Sequence, residues 1–295
     1  VQTNSIAAGL HTQFSVPPAL TGAACAAAAL LAGLGGARRV GAAAGHLVPC
    51  MVGLYVLSGC LCLAVRIRAL PGALGLMLRE AFSLRAAASG TGCGMLLALK
   101  TGVARGVFSN EAGLGTSALF GAQADVKSPA EAGMWAIFNV FVDTLVVCTM
   151  TALVVLTGGV YDAGAYRGAY ASIGAPGGPL SGAALTAASF SASLGPAGGA
   201  VVAVSLAAFA FSTVLAWAYY GRAAAEYAFG ARAAGLFPPA FAAAAWAGSV
   251  LPALHVWRIA DAANLALAVP NLIAVAALLP LVRPPDRISA PITHP

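Results

Sequence analysis

Polar and ionisable side chains set among apolar runs carry the chemical information in this chain. The densest group is Lys100-Thr-Gly-Val-Ala-Arg-Gly-Val-Phe-Ser-Asn-Glu-Ala-Gly-Leu-Gly-Thr-Ser117, with Lys100, Arg105, Ser109, Asn110 and Glu111 beside Gly102, Gly106, Gly113 and Gly115. A charge at mid-bilayer costs roughly 2.5–3.5 kcal/mol, and glycine weakens a helix interior by roughly 1 kcal/mol. A segment that only anchors a protein in lipid would carry neither. Helices break at membrane depth only where the freed backbone faces protein or a water-filled cavity, so the stretch reads as a discontinuous helix lining a solute pathway. The alternative is a cytoplasmic loop with a polar turn.

Further along, Asn139 and Asp143 lie four residues apart in an apolar run, as do Thr213 and Trp217 in another that also holds Ser205 and Ser212. Residues at this spacing share a helix face, and a polar face should point into a bundle. No hydrolase or transferase constellation accompanies them. His11, His46, His255 and His294 have no companion nucleophile at a motif spacing. A phosphate-cradling glycine loop with its lysine is also missing, which argues against direct ATP use. What remains are hydroxyls, amides and broken backbone inside apolar segments, equipment for a small zwitterion and a desolvated monovalent cation. Sodium takes hard oxygen donors, and a substrate carboxylate can be met by N–H groups at a half-helix N-terminus.

The elements that must position these groups are helices in a lipid bilayer. The 295 residues are 60% hydrophobic and 8% charged, with mean hydropathy +0.88, against roughly 25% charged in a soluble domain. An all-α polytopic membrane protein follows. The net charge of +6 is spread along the chain with no basic patch interleaved with aromatics, so nucleic acid is not an expected partner. Cys25, Cys50, Cys60, Cys62, Cys93 and Cys148 sit in or beside apolar runs without a metal-ligand spacing and read as packing residues. The chain opens on Val1 in mid-pattern with no signal peptide; the expectation is a piece whose earlier helices are missing.

Spans are expected over about 20–34, 47–65, 134–156, 201–220, 239–251 and 257–282. The last is interrupted by Asp261, Asn264 and Pro270-Asn271, and is therefore either kinked or two short helices. Gly35-Gly36-Ala37-Arg38-Arg39 reads as a turn with a cytoplasmic charge pair. Residues 71–88 read as an amphipathic interfacial helix, or an ordinary connector. Ser128-Pro129-Ala-Glu131 is a helix start. Residues 158–199 form a long connection of the kind that caps a site, with short helices around 180–190. The transporter domain is taken as 1–282 and the polar tail, 283–295, as disordered. Alternating the spans puts Arg38, Arg39, Lys127, Arg222, Arg232, Arg283 and Arg287 on one side, which the positive-inside rule makes cytoplasmic.

Arg105-Gly-Val-Phe-Ser-Asn-Glu-Ala-Gly-Leu-Gly115 resembles the signature of the alanine/glycine:cation symporter family, the prokaryotic sodium:alanine symporters. Four further stretches match in the same order. They are Gln2-Thr-Asn-Ser-Ile-Ala7, Asp143-Thr-Leu-Val-Val-Cys-Thr149, Phe209-Ala-Phe-Ser-Thr-Val-Leu-Ala-Trp-Ala-Tyr-Tyr220, and Ala260-Asp-Ala-Ala-Asn264 with Pro270-Asn-Leu-Ile273. The resemblance implies a multi-pass protein of a prokaryotic cell membrane and a leucine-transporter-type inverted-repeat bundle, here lacking its first two helices. It implies symport of alanine, glycine or a similar small neutral amino acid with sodium as coupling ion, by alternating access. No enzyme activity and no cofactor are implied. By the same resemblance Gln2, Phe108, Thr213, Val214 and Trp217 line the substrate pocket, and Ser212 and Thr213 are candidate sodium ligands. Ser109, Asn110, Glu111, Gly113 and Gly115 support the unwound helix, and residues 158–199 become an extracellular cap.

Bland readings stand beside these roles. Phe108 and Trp217 could be core packing, Ser212 and Thr213 could back-bond to their own helix, and Asp143 could support packing or join an ion path. The family commonly follows its signature with small residues and a His-Ala pair. This chain has Thr-Ser-Ala-Leu-Phe-Gly-Ala-Gln123, a departure touching the inner half-helix. The competing function is a truncated, non-transporting membrane remnant or structural membrane protein; a membrane enzyme comes third.

Overall fold

Helix is the only regular structure among the described residues of the computed structural model, which are 1–81, 93–111, 113–121, 125–162, 180 and 182–281. With lipid offering no hydrogen bonds, a helix satisfies its backbone internally. Five of these helical stretches are long and apolar enough to cross a membrane, namely Leu47–Val65, Pro129–Thr157, Pro196–Phe229, Ala231–Val250 and Ala253–Leu278. Leu, Ile, Phe and Trp side chains are exposed along them, among them Trp135, Ile137, Phe138, Leu265 and Ile273. Such surfaces suit lipid or further helices and not water.

The chain divides into two units. The first comprises the described residues within 1–84 and 147–257. It contains α1 (Gln2–Phe14), α2 (Pro18–Val65), α3 (Leu70–Ala81), α7 (Thr149–Thr157), α8 (Gly182–Leu194), α9 (Pro196–Phe229) and α10 (Ala231–Val250). α9 is its axis: α1, α2, α8 and α10 all pack on it. Small residues allow that closeness. A Cβ on Gly198 would lie 2.3 Å from the Phe190 carbonyl oxygen, one on Gly59 2.4 Å from Met150 Sδ, and one on Gly22 1.9 Å from Ser249 Oγ.

Tyr55, Cys62, Met150, Val154, Phe190 and Val202 form the main core, drawn from α2, α7, α8 and α9. The Tyr55 ring stacks on Phe190 at 5.5 Å and meets Phe209 edge-on at 6.1 Å. Its hydroxyl lies 2.7 Å from Thr151 Oγ1, which itself donates to the Val147 carbonyl, so Tyr55 is the donor. Two helix ends are capped from a distance. Asn4 donates its amide to the Gly248 and Leu251 carbonyls at the end of α10, and Arg66 donates to Ala192 O near the end of α8. Helix-terminal carbonyls need such donors, more so where Pro252 brings no N–H.

The second unit comprises the described residues within 85–146 and 258–295. It contains α4 (Cys93–Asn110), α5 (Thr116–Gly121), α6 (Pro129–Phe141) and most of α11 (Ala253–Leu278). Ser128 caps α6 by accepting from the Glu131 N–H at 3.2 Å, while Glu131 accepts from the Lys127 N–H at 2.9 Å. From Val142 to Cys148 the rod takes π geometry before α7. Each wider turn rotates the residues that follow relative to a regular α-helix.

Several expected boundaries shift. The expected turn at Gly35–Arg39 is absent, because α2 runs unbroken through it; glycine weakens a helix without ending it. α9 continues past Tyr220 through the helix-forming Arg222, Ala223 and Glu226, and stops at Gly230, φ 82°. α10 therefore begins at Ala231, with Pro238 and Pro239 inside it, and α11 is one helix through Pro270. Membrane helices tolerate such prolines because neighbours supply the missing bonds. The amphipathic helix is described as far as Ala81. The remainder of that stretch, the centre of the 158–199 connection and the tail lie outside the described residues.

Candidate solute and ion site

In the second unit α4 ends at Asn110, and Glu111, Gly113 and Gly115 take φ values of 49°, 73° and 83° before α5 starts at Thr116. The left-handed region costs glycine little but a residue with a Cβ roughly 1–2 kcal/mol. Glu111 is held there in part by Thr116, whose hydroxyl donates to its carboxylate across the break. Buried Leu114 and Thr116 fix the turn between the half-helices.

Other polar groups near the break are braced from another helix. Ser109 donates to the Asp143 carboxylate at 2.9 Å, and Thr144 donates to Asn110 Oδ1 at 2.9 Å. The π segment sets Asp143 and Thr144 side by side toward α4. Asn139, expected on the same face as Asp143, is exposed. Asn271 of α11 donates to the Gly113 carbonyl at 2.9 Å, and Arg105 forms an ion pair with Asp261. Phe108, half-buried, sits just before these groups on α4.

In the first unit α1 and α9 run antiparallel. Gln13 approaches Gly199, Gly9 approaches Leu206, and Ile6 clusters with Ala210. Gln2, half-buried, opens α1. Val214 is 4% exposed, whereas Thr213 and Trp217 are half-buried on a common face, with the Trp217 ring edge-on to Tyr220 at 6.3 Å.

Ser212 and Thr213 both donate to the Phe209 carbonyl, at 2.8 and 3.1 Å. That back-bond consumes the hydroxyl proton and leaves the oxygen lone pairs, which are what a hard cation needs. Among the described residues no group of three His, Cys, Asp or Glu side chains could hold a metal ion. Hydroxyl, amide and carbonyl oxygens suit a weakly held monovalent cation better than a tightly held divalent one.

Sequence reasoning singled out the break but missed four of its braces, Thr116, Thr144, Asp261 and Asn271. The available signal was that each is a polar residue in or beside an apolar helix, where a partner is obligatory.

The sodium:alanine symporter family model matches residues 1–284. The chain is 40% identical over 93% of its length to the sodium/alanine symporter AgcS of Methanococcus maripaludis. It is 34% identical over 94% of its length to an uncharacterized transporter of Haemophilus influenzae. To the putative sodium/proton-dependent alanine carrier protein YrbD of Bacillus subtilis it is 37% identical, over 58% of its length and 34% of the carrier. It spans 57% of the first relative and 58% of the second. With that match over nearly all its residues, on helices fit to cross a membrane, the chain belongs to the sodium:alanine symporter family, a family of integral membrane transporters.

Proposed function

We propose that this chain forms part of a secondary transporter that moves alanine, glycine or a similar small neutral amino acid together with sodium by alternating access. The observation that carries this reading is the helix interrupted at Glu111–Gly115 and braced by Asp143, Thr144 and Asn271. A soluble or purely structural role gives no reason to keep five polar groups and a left-handed glutamate among membrane helices. Breaking a helix there exposes carbonyls and N–H groups at the depth where a solute must shed its water.

On this reading Gln2, Phe108, Thr213, Val214 and Trp217 line the amino-acid pocket, with Ser212 and Thr213 offering hydroxyl oxygens to the ion. The packing of α1 on α9, the helices that carry Gln2 and Thr213, supports two of these assignments. The names of the relatives support alanine and sodium, and one of them adds proton as a coupling ion. The proposed architecture is an inverted-repeat bundle, in which α4 and α5 are the two halves of one unwound helix and α8 belongs to an extracellular cap.

Uptake of labelled alanine by the full-length protein in lipid vesicles tests the reading. An inward sodium gradient should drive accumulation, and excess unlabelled glycine should compete. Accumulation driven equally by a proton gradient without sodium would replace the coupling ion. No gradient-driven accumulation of any small amino acid would favour the non-transporting alternative.

A further inference from the structure

From Arg258 to Leu278, the partly covered residues of α11 are Ala260, Asn264, Ala268 and Asn271, and the rest are exposed. Steps of four, four and three mark one face of the helix, and that face ends on Asn271. An asparagine in an apolar, outward-facing helix has no solvent to bond, so its partner matters. The partner is the break itself. Nδ2 donates to the Gly113 carbonyl at 2.9 Å, and Oδ1 lies 2.8 Å from where a Cβ on Gly115 would stand. The next residue, Leu272, packs 3.5 Å from the corresponding point on Gly113. The amide thus sits against two glycines at positive φ, and at Gly115 its closeness leaves no room for a side chain.

Asn271 directly follows Pro270, at a point where the helix has already lost one backbone donor. A proline-asparagine step inside an apolar helix has no packing advantage over leucine. It gains one only if the asparagine has a bond to make, and here that bond is to a carbonyl freed by the unwinding.

We propose that Asn271 is a positioning residue that sets the shape of the interrupted helix by occupying the Gly113 carbonyl, and that the cation dependence of transport relies on this clasp. The second half of the proposal rests on the transport reading above. The clasp fixes the Gly113 carbonyl toward α11, while the Glu111 and Gly115 carbonyls accept from the Leu114 and Ala118 N–H groups.

The test uses the full-length protein carrying Asn271→Leu, which keeps volume and removes the donor, with Asn271→Ala as a second variant should the first misfold. Hydrogen–deuterium exchange over residues 111–121 should accelerate about tenfold, the equivalent of one lost buried hydrogen bond. Half-saturating sodium for alanine uptake should rise by a similar factor, without proportional loss of protein from the membrane. A purely structural role would lower the amount of folded protein and leave half-saturation unmoved, and that result overturns the proposal. Unchanged exchange overturns it as well. If the wild-type protein moves no alanine, the transport reading fails separately and the exchange measurement alone decides the clasp.

Discussion

Ser109 donates to the carboxylate of Asp143 at 2.9 Å, and one residue further along each helix Thr144 donates to Asn110, also at 2.9 Å. The two rungs point in opposite directions, α4 giving a proton on the first and accepting one on the second. Each rung therefore satisfies a group the other cannot. A double-mutant cycle of Ser109→Ala with Asp143→Ala should give a coupling energy of about 0.6–1.7 kcal/mol, the range for hydrogen bonds between membrane helices. Thermal unfolding of the full-length protein in detergent measures it, and strictly additive single effects would show that the rung contributes nothing.

Gly115 faces two penalties if it acquires a side chain. Its φ of 83° disfavours any L-residue, by roughly 1–2 kcal/mol, and the new Cβ would stand 2.8 Å from Asn271 Oδ1. Gly115→Ala should destabilise the protein, and adding Asn271→Ala should cost less than the sum of the two changes because the clash disappears. Equal sums would mean the two residues do not meet.

Gly198 and Gly53 should respond in opposite ways. A Cβ on Gly198 would lie 2.3 Å from a backbone oxygen of α8, which cannot step aside, while one on Gly53 meets nothing within 4 Å. Gly198→Ala is expected to cost about 3 kcal/mol as an overpacked contact. Gly53→Ala should be neutral or stabilising by up to about 1 kcal/mol through helix propensity. Melting temperatures of the two variants side by side check the contrast.

Thr213→Val preserves shape and removes the hydroxyl oxygen. If that oxygen binds the ion, half-saturating sodium for alanine uptake should rise about tenfold, a loss typical of a bond to a charged group. Trp217→Ala should widen the accepted side chain, read as new competition by leucine or phenylalanine against labelled alanine. A sodium curve and a competition profile identical to wild type would remove both residues from the pocket.

The helical, membrane-embedded class and the place of the break were legible in the residues themselves. Apolar runs of spanning length leave the backbone no choice but helix. Glycines at 113 and 115 beside Asn110 and Glu111 are tolerable in such a run only where the helix stops. The Ser128 cap was legible for the same reason, since every interaction involved lies within four residues.

What the fold alone decided is which distant group answers each polar side chain. Asn271 lies 158 residues from Gly113, and Asp143 lies 34 from Ser109; no local pattern pairs them. The helix also widens at Val142–Cys148, where Asp143 and Thr144 meet α4. Local propensities differ by about 1 kcal/mol per residue, less than long-range packing contributes, so neighbours decide where a helix bends, widens or continues.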